Sequence, residues 1–204
     1  MRKIIKGSEP TELVAWKRKH PHGYYTDLTY IERQAINQAT LSEQFGLCAY
    51  CCKKIDAQSS HNEHVEARHL ASLSSQLDFC NIVASCNTRG RCGNAHGSQP
   101  LPLTPLMAEC ETELKFYLSG KVEGLTQRSA DSIAVLGLNS RAIREERKQM
   151  VDNLIFPDKA DDLQLLGDDL LAAWLDDFQQ PDGEGQLLPY SPALVNIIRQ
   201  LLVT

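Results

Sequence analysis

The sequence predicts an α+β fold, mainly helical, in which a small cysteine-bearing core sits between N-terminal and C-terminal helices. Three observations predict it. Two cysteine pairs, Cys48/Cys51 and Cys86/Cys92, bracket a stretch rich in His, Glu and Asn. Apolar residues recur at helical spacing on both sides of that stretch. The halves of the chain also differ in charge: residues 1–100 hold 12 Lys/Arg against 9 Asp/Glu, and residues 101–204 hold 9 against 17. With 42% hydrophobic and 23% charged residues in 204, the chain has the composition of a globular protein. It has room for one substantial domain, or a core with an appendage, and not for two independent enzymes. No run of eighteen apolar residues occurs and the opening residues lack a secretion signal, so the expectation is a cytoplasmic protein with no membrane span.

Residues 1–45 form a basic helical segment, with Arg2, Lys3, Lys6, Lys17, Arg18 and Lys19 near its start. Helices are expected over 8–19 and 28–45, the second capped by Thr29 or Asp27 and lined on one face by Tyr30, Ile31, Ala35, Ile36, Ala39 and Leu41. Residues 46–100 form the core, closed off by Pro100, Pro102 and Pro105. The region 101–204 reads as helical and acidic. Helices are expected over 106–118, stopped by Gly120, then over 140–154, 161–178 and 191–203, with a short strand or hairpin at 121–125 and a loop at 181–185. Ten acids face a single Lys in residues 151–188, which suggests a partner surface unlike that of the basic half.

Seven cysteines, an odd number, argue against a disulfide framework and for metal ligation. Cys48 and Cys51 form a C-x2-C knuckle; Cys86 and Cys92 form a looser C-x5-C pair. Four thiolates suit a closed tetrahedral Zn2+ site, which stabilises a small fold and does no chemistry. Cys52 can replace Cys51 as a ligand, but Cys52, Cys80 and Cys110 all read rather as buried small hydrophobes.

Between and just after the knuckles lie His61-Asn62-Glu63-His64, Asn81-Ile82-Val83 and Gly93-Asn94-Ala95-His96. Phosphodiester hydrolysis needs a base for water, a divalent cation to neutralise the phosphate, and ligands that leave the cation open positions. An adjacent Glu63-His64 pair supplies an acid and an imidazole, and on a strand the two side chains point to opposite faces unless the strand bends or lies at an edge. His20, His22, His61 and His69 read as solvated loop residues, although His61 or His69 can line a groove.

With these motifs the chain resembles an HNH nuclease, whose ββα-metal core is a two-stranded ribbon and a helix around one catalytic cation. It is similar in particular to the PtuB family, encoded beside a PtuA-type ABC/SMC-like ATPase in Septu anti-phage systems and in some retrons. The resemblance is carried by Met1 to Lys6 with Glu9-Pro10, Gly46 to Cys51, Glu63-His64, Asn81-Ile82, Cys86-Asn87, Cys92-Gly93 and Leu136 to Asn139. It implies that His64 is the general base, Glu63 a ligand of a catalytic Mg2+ or Mn2+, and Asn81 a brace for the ribbon. For the third metal residue it implies Asn94, with His96 close behind, because Gly93 occupies the position where many relatives carry the third letter. Ala67 stands where the family tends to have Pro. The implied activity is endonucleolytic cleavage of DNA, or of tRNA, by the effector of an anti-phage complex whose ATPase docks on the acidic half. Gly93 and Ala67 favour an alternative: an inactive zinc-knuckle module that binds nucleic acid or protein.

Overall fold

The computed structural model describes residues 1–69, 73–155 and 167–202. The N-terminal ten residues run extended across the core, burying Met1 and Ile4, and the Ile4 amide donates to the Pro105 carbonyl (2.8 Å). Helix α1, Thr11–Lys19, starts later than expected because Pro10 restricts the residue before it and lacks an amide proton of its own. It buries Leu13 and Trp16. Helix α2, Tyr30–Glu43, is capped by Thr29, whose hydroxyl accepts from the Ile31 amide (3.3 Å) while the Glu32 carboxylate accepts from the Thr29 amide (2.8 Å).

The buried face of α2 is not the expected one. Tyr30 and Ile31 are exposed, and the buried residues are Ile36, Asn37 and Thr40. Polar side chains go inward because each has a partner there. The Gln44 amide, one residue past α2, donates to the Leu47 and Ala84 carbonyls (2.7 and 2.9 Å) and accepts from the Ala84 amide (2.7 Å).

Those bonds hold α2 against a two-stranded antiparallel ribbon. Strand β1, Ser60–His64, pairs with β2, Ile82–Cys86, in the register Ser60 with Cys86 and His64 with Ile82. All of β2 is buried, and its run is apolar but for Ser85, whose hydroxyl accepts from the Gly93 amide (3.0 Å), whereas β1 is only partly covered. The connection carries the short helix α3, Leu73–Gln76, and a 3-10 turn at Phe79–Asn81. After β2 comes α4, Gly93–His96, a single turn.

A second ribbon replaces the helix expected over 106–118. A 3-10 turn at Ala108–Glu111 leads into β3, Leu114–Phe116, which pairs with β4, Val122–Gly124. Gly120 makes the turn between them at φ +73, and any Cβ there would lie 2.1 Å from the Arg144 carbonyl oxygen. The helical spacing of apolar residues is overridden by pairing: the Phe116 amide donates to Asn196 Oδ1 (2.8 Å), and the Asn196 amide donates to the Leu114 carbonyl (3.0 Å). Helix α5, Gln127–Val135, follows a Thr126 cap and has no counterpart in the sequence reading. Helix α6, Arg141–Ile155, agrees with it, and two residues before it Asn139 clasps both backbone groups of Val122 (2.9 and 2.7 Å). Helices α7, Asp168–Asp177, and α8, Ser191–Leu202, complete the order. Residues 161–166 and 203 of the helices expected there lie outside the described residues.

The main core gathers Met1 and Ile4, the four paired cysteines, Leu136 and Ile143, and Leu194 and Ile197 of α8, while Leu13 and Trp16 of α1 and Ile36 of α2 pack with Phe79 and Ile82 in a second cluster. No helix among the described residues is long and apolar enough to cross a membrane.

Candidate functional site

The sulfur atoms of Cys48, Cys51, Cys86 and Cys92 all lie within 4.8 Å of one another, and all four residues are buried. Tetrahedral zinc thiolates place their sulfurs roughly 3.8 Å apart, so the cluster can hold such an ion with a small contraction. The first knuckle is built by backbone bonds, with the Cys48 amide donating to Lys53 (2.8 Å) and the Cys52 amide to Cys48 (3.0 Å). The Cys86 amide donates to Cys48 Sγ (3.3 Å), the kind of bond that orients a thiolate ligand. Cys52 turns away at φ +63 into a separate apolar cluster with Leu47 and Leu187, so it does not compete with Cys51. Cys110 is buried as a small hydrophobe, whereas Cys80 is exposed, a departure from that reading. Without a cation the sulfurs cannot ionise together. Hydrogen bonds with the other three push the Cys86 thiol far down, while those with Cys48 and Cys86 push Cys51 and Cys92 well up.

Beside this cluster, sharing the Cys92-Gly93 turn, lies a second one made of nitrogen and oxygen. On β1, residues two apart share a face, so His61 and Glu63 project together. One Glu63 oxygen meets His61 Nε2 (3.3 Å) and the other meets His96 Nδ1 (2.7 Å). His61 Nδ1 is held by Asn87 Oδ1 (2.9 Å), which aims Nε2 at the carboxylate. Burial pushes Glu63 up, but the two imidazoles outweigh it and hold the carboxyl below its ordinary value. The Glu63 bond in turn raises His61 against the effect of burial. His96 is fully buried, and its Nε2 has no partner among the described residues.

Gly93 makes this approach possible. A Cβ at that position would lie 2.7 Å from His61 Nε2 and 2.8 Å from the Glu63 carboxylate. Gly93 and His96, three apart on the single turn α4, face the strand, while Asn94 falls on the outside and is exposed. Of the two residues expected as alternatives for the third metal residue, His96 is the one that reaches Glu63 here, whereas Asn94, the preferred one, does not. His61, read as a solvated loop residue, belongs to the cluster. Its spacing two before Glu63 on a strand was the signal that placed it there.

His64 lies on the opposite face of β1 and is buried. Its Nε2 meets the Gln76 carbonyl (2.9 Å), so Nε2 carries the proton and Nδ1 is the basic nitrogen. The ring stands edge-on to Tyr25 at 4.5 Å, and burial followed by the Arg68 charge lowers its pKa despite the Gln76 bond. Asn81 is half-buried and ties the two segments around His64: it accepts from the Glu66 amide (2.7 Å) and donates to the Glu66 and Ser75 carbonyls (3.1 and 3.3 Å). Ala67, where a proline was expected, is buried in that same segment.

Both faces of β1 open into one groove of about 510 Å3, because β1 has a neighbour on one side only and the groove runs over its free edge. The edge position is what lets adjacent Glu63 and His64 line the same space. Arg33 and Arg68 give the groove positive charge. No family model matches the chain, and no curated protein matches it.

Proposed function

We propose that the chain is a metal-dependent phosphodiesterase acting on nucleic acid, built on an HNH-type ββα-metal core of β1, β2 and α4. The observation that carries this reading is the Glu63 carboxylate held between two imidazoles, next in sequence to a buried histidine whose free nitrogen is basic. Glu63, His61 and His96 would hold the catalytic cation. Carboxylate and imidazole together suit Mn2+ better than Mg2+, which favours oxygen donors alone. When bound, such a cation neutralises charge on the phosphate and on the leaving oxygen.

The chain's own residues supply the rest. His64 Nδ1 takes the proton of the attacking water, and the Gln76 carbonyl on Nε2–H stabilises the imidazolium that results. Asn81 fixes the loop that carries this carbonyl relative to β1. Asn87 keeps His61 turned toward Glu63. The sulfur cluster, as a structural zinc site, pins α4 beside β1 and takes no part in the reaction. The outer face of α7, where Asp168, Asp169, Asp176 and Asp177 are exposed, is the proposed contact for a PtuA-type ATPase, since α8 is committed to the core.

The test is cleavage of labelled DNA and RNA with Mn2+ by wild type and His64→Ala. A loss of about 10²- to 10⁴-fold, with zinc content and circular dichroism retained, is the expected result. Cleavage by His64→Ala at the wild-type rate refutes the assignment.

A further inference from the structure

We infer that the groove accepts an unpaired strand of nucleic acid and stacks one of its bases on Tyr30. The inference rests on the phosphodiesterase reading and names the form of its substrate.

Three observations lead there. Tyr30 is the first residue of α2 and is 75% exposed on the rim of the groove that holds Glu63 and His64. A helix start gains nothing from an aromatic ring in water, whereas a ring beside a phosphate-cleaving site is a stacking platform for any base. Second, Asn37 is 8% exposed and lines the groove; its Nδ2 donates to Ser60 Oγ (3.2 Å), while its Oδ1 is covered and has no partner among the described residues, so a donor from the groove meets it once the side chain turns outward. A phosphate has no proton to give that oxygen. An unpaired base amine or a sugar hydroxyl does, and in a duplex the base edges are already paired. Third, the groove's cations are few. Arg33 is anchored by its own donors to the Leu28 and Thr26 carbonyls (3.0 and 2.9 Å), and Arg68 stands over the Tyr25 ring. Two guanidiniums release too few counterions to hold a duplex by charge, so binding must draw on stacking, which only an unpaired or extruded base offers.

The experiment is fluorescence anisotropy with the full chain, zinc retained and no Mg2+ or Mn2+ added. The probes are fluorescein-labelled single-stranded DNA and RNA of about twelve nucleotides and the matching duplex. Single strands are expected to bind at least about tenfold tighter than duplex; Tyr30→Ala to weaken them about tenfold; and Tyr30→Phe to keep wild-type affinity. Loss on Asn37→Ala confined to RNA assigns its donor to the 2′-hydroxyl, and loss on both strands assigns it to a base. Duplex binding as tight as single-strand binding, or unchanged affinity in a folded Tyr30→Ala, overturns the inference. The two readings fail separately. Tyr30-dependent binding without any cleavage sinks the phosphodiesterase alone, and duplex cleavage by Tyr30→Ala at the wild-type rate sinks the stacked strand alone.

Discussion

The sulfur cluster and the His61–Glu63–His96 cluster meet at the Cys92-Gly93 turn, yet one is sealed and the other opens on a groove. Every sulfur is buried, and the environment is completed by a backbone amide on Cys48 Sγ and by the guanidinium of buried Arg147, whose own pKa burial lowers to about 10. Glu63 is also largely covered, but its imidazole partner His61 lies half-exposed on the groove. Under the proposed function the contrast is that between a metal site that would stabilise the fold and one that would leave room for a reactant.

Breaking the sealed cluster gives the largest expected effect. Cys86→Ser removes a ligand that also belongs to β2, and the expectation is loss of bound metal together with cooperative folding, since structural zinc contributes about 10 kcal/mol or more to such folds. Zinc content and a thermal melt read it; a variant that keeps one equivalent of metal and its melting temperature refutes the four-ligand assignment.

Gly93→Ala should separate the two clusters. The new Cβ falls against His61 Nε2 and the Glu63 carboxylate. Misplacing the ligands by such a shift should cost about 10²-fold in cleavage, while overpacking costs about 1–3 kcal/mol of stability and leaves zinc in place. Full activity in this variant would mean that His61 and Glu63 do not converge where described.

Glu146→Gln probes how the sealed side is tied to the C-terminal region. The carboxylate accepts from Arg91 (3.0 Å) and the Tyr190 hydroxyl and pairs with Lys53 (3.5 Å), so it links both knuckles to the start of α8. Burial alone would raise its pKa, but these partners outweigh it and hold it below the usual 4.5. A depressed folded value means that the carboxylate's contribution is complete above the unfolded value and fades as pH falls through the folded one. The variant should therefore be less stable by about 2 kcal/mol at neutral pH, with the gap closing below pH 4.5. A gap that is constant from neutral pH into acid contradicts the linkage.

Much of this was legible in the sequence, and the gaps have physical causes. Cysteine spacing picked out the four residues that cluster and can hold a metal ion, because sulfur pairs at that spacing have few other uses. Glu63, His64 and Asn81 were found by resemblance, and their neighbours explain why they sit where they do. The buried face of α2 was misread because apolar pattern was its only guide: Asn37 and Gln44 are inside on account of hydrogen bonds to partners remote in sequence, and the Thr40 hydroxyl is satisfied by the Ile36 carbonyl of its own helix. Of the second ribbon, β4 falls where a short strand or hairpin was expected at 121–125, but β3 was misread as helix for a related reason, its place being fixed by Asn196 on α8 rather than by local spacing. Gly93, counted against activity in the sequence, is the residue whose missing side chain leaves room for the cluster.

The smallest expected effect decides the most about α4. Asn94 is exposed, and its replacement by Ala should change stability by less than about 0.5 kcal/mol and leave Mn2+ binding intact. His96→Ala, by contrast, removes the Glu63 partner at 2.7 Å and should abolish the ion's heat of binding in calorimetry. The two residues are neighbours on one four-residue turn, so a single rotation of that turn exchanges which of them faces β1. Loss of Mn2+ binding in Asn94→Ala but not in His96→Ala would show that the turn rotates when the ion binds. The amide would then be the third ligand, and the hydrogen bond between His96 and Glu63 would belong to the metal-free state alone.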